Sequence, residues 1–280
     1  MALMTVTEDL RVTPITGVIG AYVEGVDLAQ HLNDQAWQER LRDLLFTYGV
    51  IAFRDQDLTP VQHKAIGEFF GPLHTHPFAV NMAEHPEILI LDTTKMTKVL
   101  KWHADATFEV APPMASFLYA LEVPPVGGDT LFTHTQAAYE ALSPEWQQRL
   151  EVLRAVHSST ATFGPKGTYK RHWDKPRHEH PDVENSHPVV HTHAYNGRRG
   201  IYVNSQFTVA IEGMDPAESR WLLDFLWNHI ASVQFQCRVQ WEPGTLTIWD
   251  NRAVQHAAVP DWTEGRRLMH RVTVNGPPIE

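Results

Sequence analysis

A single cysteine, Cys237, stands in the whole chain, so neither an intramolecular disulfide nor a thiolate metal cluster can form. No stretch approaches the roughly 18 consecutive apolar residues that a membrane-spanning helix needs, so no membrane association is expected. Basic residues are the minority. Against 33 Asp and Glu there are 23 Lys and Arg, and the net charge of −10 opposes binding to nucleic acid. An anionic ligand would therefore need a local arginine to hold it. Met1 to Leu10 lacks a basic segment followed by an apolar one, which points away from secretion and toward the cytoplasm. Neither a strand followed by G-x-G-x-x-G nor a phosphate-binding G-x-x-x-x-G-K-[ST] loop is present, which removes support for nucleotide-binding folds.

What is present describes an ordinary globular chain. With 43% hydrophobic and 20% charged residues over 280 positions, it can bury a sizeable core, and one domain spanning residues 1–280 is expected. Trp37, Leu41, Leu44, Leu45 and Tyr48 fall on one helical face that Gly49 stops, and a short buried strand, Val50–Phe53, follows. Thr59-Pro60-Val61-Gln62 reads as a capping box that starts a helix ending near Gly71. Ser143-Pro144 and Asp215-Pro216 open two further helices, the second burying Trp221, Leu222, Phe225 and Leu226.

Between them lie strand-like runs: Glu87–Leu91, Ala115–Val123, Thr130–Thr133, Val189–His193, Ile201–Asn204, Gln234–Trp241, Thr245–Trp249 and Leu268–Val274. The pattern predicts a mainly β fold with flanking helices and largely antiparallel sheets. Phe163 to Asn185, broken by Gly and Pro and crowded with Lys, Arg and His, reads as a long loop and a candidate active-site lid.

Histidine, at 17 residues, is unusually frequent and points to metal or proton chemistry. Two imidazoles and one carboxylate on one face of a metal, with the opposite face open, define the site of a mononuclear Fe(II) oxygenase. A His-x-Asp pair at a strand end can supply two of those ligands, because residues i and i+2 share a face. About one such pair is expected by chance in a chain of this composition. Three occur: His103/Asp105, His172/Asp174 and His180/Asp182. The last two lie in the Pro-rich loop, where no strand would fix them. His103 and Asp105 sit in Lys101-Trp102-His103-Ala104-Asp105-Ala106-Thr107-Phe108, flanked by aromatics. Gly127-Gly128-Asp129-Thr130 follows, and far downstream Trp249-Asp250-Asn251-Arg252-Ala253-Val254-Gln255-His256, then Arg266, Arg267 and Arg271.

These three ordered motifs resemble those of the taurine/phenoxyacetate dioxygenase family of Fe(II)- and 2-oxoglutarate-dependent dioxygenases. The resemblance runs over nearly the whole chain and includes Ile19-Gly20-Ala21, Gly25-Val26-Asp27-Leu28 and Phe69-Phe70-Gly71-Pro72-Leu73-His74. It implies a double-stranded β-helix (jelly-roll, cupin-like) core. It implies His103, Asp105 and His256 as the iron ligands, where Asp105 argues for hydroxylation, since related halogenases carry a small residue at that position. It also implies that Arg267, eleven residues after His256, grips the distal carboxylate of 2-oxoglutarate with help from Thr130. A guanidinium suits that task because it binds a carboxylate through two parallel hydrogen bonds. Arg266 is expected to be a solvated surface residue.

Arg271 lies four residues past Arg267, which in a strand puts both on one face about 13 Å apart. By the resemblance, Arg271 and His76 would hold a substrate anion beside Thr162, Phe163 and Phe207. Ala79 and Val99 stand where taurine dioxygenase has a Tyr and an Asn, so the pocket loses polar partners for an amine and gains room for an apolar body. The expected substrate is thus a small anion with an apolar tail: a sulfonate, a sulfate ester or an aryloxyalkanoate. Hydroxylation next to its heteroatom would fragment it while 2-oxoglutarate and O2 yield succinate and CO2. Taurine itself remains an alternative. So do a zinc-dependent hydrolase, which lacks an H-E-x-x-H motif and an obvious general base here, and a non-catalytic jelly-roll protein that binds metal and 2-oxoglutarate. A histidine-rich metal store would draw on His172, His178, His180, His187, His191 and His193. Relatives' habits suggest a homo-oligomer, a dimer or tetramer. His74, His134, His157 and His270 read as structural or surface residues, and Cys237 as a small buried hydrophobe.

Overall fold

The computed structural model describes residues 10–76, 80–93, 101–164 and 182–279. Along the chain, β1 (Arg11–Pro14) and β2 (Ala21–Glu24) precede α1 (Gln35–Tyr48), β3 (Val50–Phe53), α2 (Pro60–Glu68) and β4 (Ile88–Asp92). Then come β5 (Ala115–Glu122), β6 (Thr130–His134), α3 (Thr135–Glu140), α4 (Pro144–Leu150), β7 (Arg154–Ser158) and α5 (Thr160–Phe163). The rest holds β8 (Glu184–Pro188), β9 (Val190–Thr192), β10 (Arg199–Ile201), β11 (Thr208–Ile211) and α6 (Pro216–Ile230). The last four strands are β12 (Gln236–Val239), β13 (Leu246–Asp250), β14 (Val254–Ala258) and β15 (Leu268–Val274).

Seven strands form one sheet in the order β1-β2-β3-β13-β5-β15-β4, and a second sheet has the order β12-β6-β14. Two smaller sheets, β11-β7-β8 and β10-β9, complete the set among the described residues. In the large sheet β2 and β3 run parallel, while β3–β13, β13–β5, β5–β15 and β15–β4 are antiparallel. The protein is thus mainly β with flanking helices.

Period-two alternation sets the layers. On one face of the large sheet, Ile51, Phe53, Phe117, Tyr119, Leu246, Ile248, Val272 and Val274 pack with Leu41 and Leu45 of α1 and Ile66 of α2. The other face presents Val50, Ala52, Leu118, Ala120, Trp249 and Met269. It packs against Phe132, Cys237, Val239 and Val254 of the β12-β6-β14 sheet. Parity places Ser116 and Arg271 on this second face, between the two sheets. The Cys237 thiol is buried there, which pushes its pKa up to about 12 and makes it a packing residue. Burying Leu118, Phe132, Trp249 and their neighbours contributes about 1.5–3 kcal/mol per large side chain, which holds the two sheets in place around that gap.

Local signals set the helix ends. The Asp34 side chain accepts a hydrogen bond from Trp37 N, and Gly49, with a positive φ of 70°, closes α1. Thr59 and Gln62 form the capping box of α2, which stops at Glu68, short of Gly71. In α6 the buried face is Leu222, Leu223, Leu226 and Ile230. Trp221, expected inside, is 61% exposed and instead stacks on Phe225 and Trp146 along the helix flank.

The strand expected over Ile201–Asn204 ends at Ile201. The Asn204 carboxamide oxygen there accepts from Gln206 N and Phe207 N and turns the chain out of the sheet. Gln234–Trp241 begins as a 3-10 turn, Val233–Phe235, yet Phe235, Cys237, Val239 and Trp241 are all buried as their alternation requires. The expected lid, Phe163–Asn185, falls mostly on residues 165–181, outside the described residues. Its described ends close α5 and enter β8.

Candidate active site

His103 and His256, far apart in sequence, form an antiparallel backbone bridge: His103 N donates to His256 O at 3.1 Å, and His256 N to His103 O at 2.8 Å. His256 lies on β14, opposite Phe132 of β6. Asp105 is in the turn that follows His103, where Ala106 adopts a positive φ of 46°. A turn, not a strand end, therefore carries the His-x-Asp pair. Potential ligand atoms of His103, Asp105 and His256 all lie within 4.8 Å of one another, and no other such group occurs among the described residues.

The three residues suit a metal. His103 Nδ1 donates to the Lys101 carbonyl at 3.1 Å, so Nε2 carries the free lone pair. That atom lies 4.0 Å from Asp105 Oδ1. Burial lowers the pKa of both His103 and His256, which keeps the rings neutral and able to coordinate, and His256 Nδ1 is buried without a partner. Burial by itself would raise the Asp105 pKa. The Arg271 guanidinium, with help from the Ser116 hydroxyl, overcomes that and holds the carboxyl well below its usual range.

Further along the space between the sheets, Arg267 is 4% exposed. Its Nε donates to Gly128 O at 3.0 Å, Nη2 reaches Thr130 Oγ1 at 3.5 Å, and the guanidinium lies 5.7 Å over the Trp241 ring. Desolvation lowers its pKa only to about 10, so it stays cationic. Trp241 Nε1 donates to Thr130 Oγ1 at 3.0 Å, which fixes the hydroxyl beside the guanidinium. The Gly127-Gly128 turn, with φ of +82° and +75°, is tied from outside: Gly128 N donates to Asp261 Oδ1 at 2.8 Å, and Arg238 pairs with Asp129 and Asp261. Arg267 O accepts from both N and Oγ1 of Thr93. Arg266 pairs at the surface with Asp92 and Glu122, as expected.

Of the residues expected at the substrate, Arg271 is 9% exposed, with Nη1 2.6 Å from Asp105 Oδ1 and Nε unpartnered. His76 meets Phe163 edge-on, and desolvation followed by the charge of Arg271 depresses its pKa to about 3. Phe163 and Phe207 belong to an aromatic cluster with Phe108, and Phe207 meets His103 edge-on at 5.9 Å. The Thr162 hydroxyl donates to Gln206 O at 3.2 Å, so it is engaged with backbone. Ala79 and Val99 lie outside the described residues. Sequence reading gave no role to Ser116, Asp261 or Arg238. Ser116 had one signal, a single serine in a largely apolar buried strand.

Several of the other described histidines are held by hydrogen bonds. His74 pairs with Glu109, His157 bonds Thr107, His187 donates to Glu109 O, and His191 to Arg252 O. His193 Nε2 lies 3.0 Å from Asp250. His187, His191 and His193 are each tied to a neighbour in this way, while His172, His178 and His180 lie outside the described residues.

Two neutral imidazoles and one ionised carboxylate beside a buried, cationic arginine are the donor set of a mononuclear non-haem Fe(II) oxygenase with an anionic cosubstrate. The chain belongs to the taurine catabolism dioxygenase TauD, TfdA family, whose pattern matches residues 11–273. It is 34% identical to the alpha-ketoglutarate-dependent dioxygenase cnsM of Penicillium expansum over 91% of this chain and 74% of that protein. It is also 34% identical to the alpha-ketoglutarate-dependent sulfate ester dioxygenase of Pseudomonas putida, covering 96% and 90%. The structure of a taurine dioxygenase from Burkholderia xenovorans superimposes with a TM-score of 0.83 at 34% identity, over 96% of this chain and 90% of that one. The protein is a 2-oxoglutarate-dependent dioxygenase that uses Fe(II), 2-oxoglutarate and O2. Among the described residues no helix is long and apolar enough to cross a membrane.

Proposed function

We propose that this enzyme hydroxylates a small anion with an apolar tail, next to its heteroatom, and so fragments it. The substrate class comprises sulfonates, sulfate esters and aryloxyalkanoates. The observation that carries this reading is Arg271, a buried arginine paired with Asp105 of the triad and close enough to His76 to act on its charge, while the His76 ring meets Phe163 of the Phe108–Phe163–Phe207 cluster. A cation in that position answers an anionic head, and the aromatic wall answers an apolar body. Two relatives are named for a sulfate ester and for taurine, both of which carry an anionic head.

In this reading His103, Asp105 and His256 hold the iron. Arg267 and Thr130 bind the distal carboxylate of 2-oxoglutarate, and Arg271 and His76 orient the substrate anion. Thr162, Phe163 and Phe207, with Ala79 and Val99, shape the remaining pocket. When bound, the iron, 2-oxoglutarate and O2 supply the oxidising chemistry, with succinate and CO2 as coproducts. The chain supplies position and a water-poor space: the aromatic cluster shields one side, and Trp241 and the Gly127-Gly128 turn hold Arg267 where a carboxylate can reach it. The chain forms one catalytic domain, with the double-stranded β-helix as its core. The pair of sheets stacked around Phe132, Leu118 and Trp249 supports that architecture. It assembles as a homo-oligomer of two or four copies.

A substrate panel with succinate release as the readout tests the reading. Turnover with alkyl or aryl sulfonates, sulfate esters or aryloxyalkanoates is expected, and turnover with taurine alone would overturn it. Arg271→Gln should raise KM for the anionic substrate far more than KM for 2-oxoglutarate.

A further inference from the structure

Asp105 does not stand alone behind the site. It terminates a buried chain of hydrogen bonds that starts at Trp249: Trp249 Nε1 to Asn251 Oδ1 at 2.9 Å, Asn251 Nδ2 to Ser116 Oγ at 2.8 Å, and Ser116 Oγ to Asp105 Oδ2 at 2.7 Å. Trp249 and Asn251 are 1% exposed, Ser116 0% and Asp105 5%. The direction of every bond follows from chemistry. An indole N–H can only donate, so the atom of Asn251 facing it is the oxygen, which also accepts from Asp105 N at 3.3 Å. The Asn251 amide nitrogen therefore faces Ser116 and donates to it. Ser116 has one hydrogen, and with its oxygen already accepting, that hydrogen points at Asp105 Oδ2.

We propose that Ser116, oriented by Asn251 and Trp249, is a positioning residue that fixes the metal carboxylate. It ties Oδ2 back into the sheet and leaves Oδ1, which lies 4.0 Å from His103 Nε2 and accepts from Arg271 Nη1 at 2.6 Å, as the oxygen facing the metal. Held in this way, Asp105 offers one oxygen instead of two, which leaves room for the two oxygens of 2-oxoglutarate and for O2. The placement is rigid because β5 and β13 pair directly, with Ser116 opposite Trp249. Partners of metal ligands typically account for 10–100-fold in metal affinity. Cooperative polarisation along a buried chain adds to the strength of its last bond.

The inference rests on Asp105 being a metal ligand, and the test separates the two claims. Mn(II) alone is titrated into metal-free wild type, Ser116→Ala, Ser116→Cys and Asp105→Ala, with free Mn(II) followed by its electron paramagnetic resonance signal. Thermal unfolding of the metal-free proteins is measured in parallel. Wild type is expected to bind one Mn(II) per chain. Both Ser116 variants should bind it roughly 10–100-fold more weakly while still unfolding cooperatively without metal, at a midpoint lowered because Asn251 Nδ2 and Asp105 Oδ2 lose a buried partner, and Asp105→Ala should not bind it. If Ser116→Ala does not fold, Ser116→Cys decides, because it fills the site with a slightly larger atom and replaces a strong donor and acceptor by a weak one. Wild-type affinity in the folded Ser116 variants overturns the positioning role and leaves the triad standing. Mn(II) binding by Asp105→Ala equal to wild type overturns the triad and the inference with it.

Discussion

Replacing Gly127 with alanine tests the construction of the end of the site proposed to bind 2-oxoglutarate. Gly127 has a φ of +82°, where a Cβ costs roughly 1–2 kcal/mol in any surroundings. Here the added carbon would also lie 2.5 Å from Asp261 Oδ1 and 3.1 Å from the Asp261 backbone carbon, so the side chain cannot simply swing aside. Displacing Asp261 breaks the 2.8 Å bond from Gly128 N. A hydrogen bond to a charged group contributes about 1.5–3 kcal/mol, and the low end applies because the Asp261 side chain is 41% exposed. The expected loss in stability is therefore about 2.5–3.5 kcal/mol.

Gly213 supplies the control. Its φ is +72° with nothing within 4 Å of an added Cβ, so Gly213→Ala should cost only the 1–2 kcal/mol of backbone strain. Urea unfolding of both variants measures the difference, expected near 1.5 kcal/mol at unchanged slope. Because Gly128 O anchors Arg267 Nε, the KM for 2-oxoglutarate should rise roughly tenfold in Gly127→Ala, as about 1.4 kcal/mol corresponds to, and stay fixed in Gly213→Ala. Equal losses in the two variants, with equal KM values, would refute the reasoning.

Arg267→Lys keeps the charge but loses the fork and the bond to Gly128 O. The KM for 2-oxoglutarate should rise on the order of 10–100-fold in a decarboxylation assay, and a wild-type value would remove Arg267 from that role. In α6, Leu226→Ala should cost about 2–5 kcal/mol in chemical denaturation and Trp221→Ala under about 1 kcal/mol; the reverse order would mean that the helix faces the core differently.

Burial depresses His63, His134 and His191 to about 4 and His157 to about 3. The unfolded chain binds protons at these positions below pH 6.5 and the folded chain does not. Their stabilisation is thus complete above about pH 6.5 and is lost as pH falls toward 4, at up to about 2 kcal/mol per group by pH 5. Urea midpoints that stay constant from pH 7 to pH 5 would contradict the buried, neutral state of these rings.

The sequence by itself determined what depends on neighbours along the chain. The capping box at Thr59-Gln62, the stop at Gly49 and the alternation through Phe235, Cys237, Val239 and Trp241 are written in spacings of two to four residues. Three ordered motifs, through their resemblance to the dioxygenase family, implied His103, Asp105, His256 and Arg267 as the site. The strands β1, β2, β7, β8, β11 and β14 went unread, since their short runs carry no local period strong enough to separate them from loops.

Tertiary structure decided the rest. Trp221 left the core because the neighbours of α6 selected the stripe through Leu222, Leu226 and Ile230, and hydrophobicity does not say which face is covered. His103 met His256 through a backbone bridge, and Ser116 met Asp105 through pairing of β5 with β13. Such contacts join residues that only the register of distant strands brings together, and register is a property of the packed sheets.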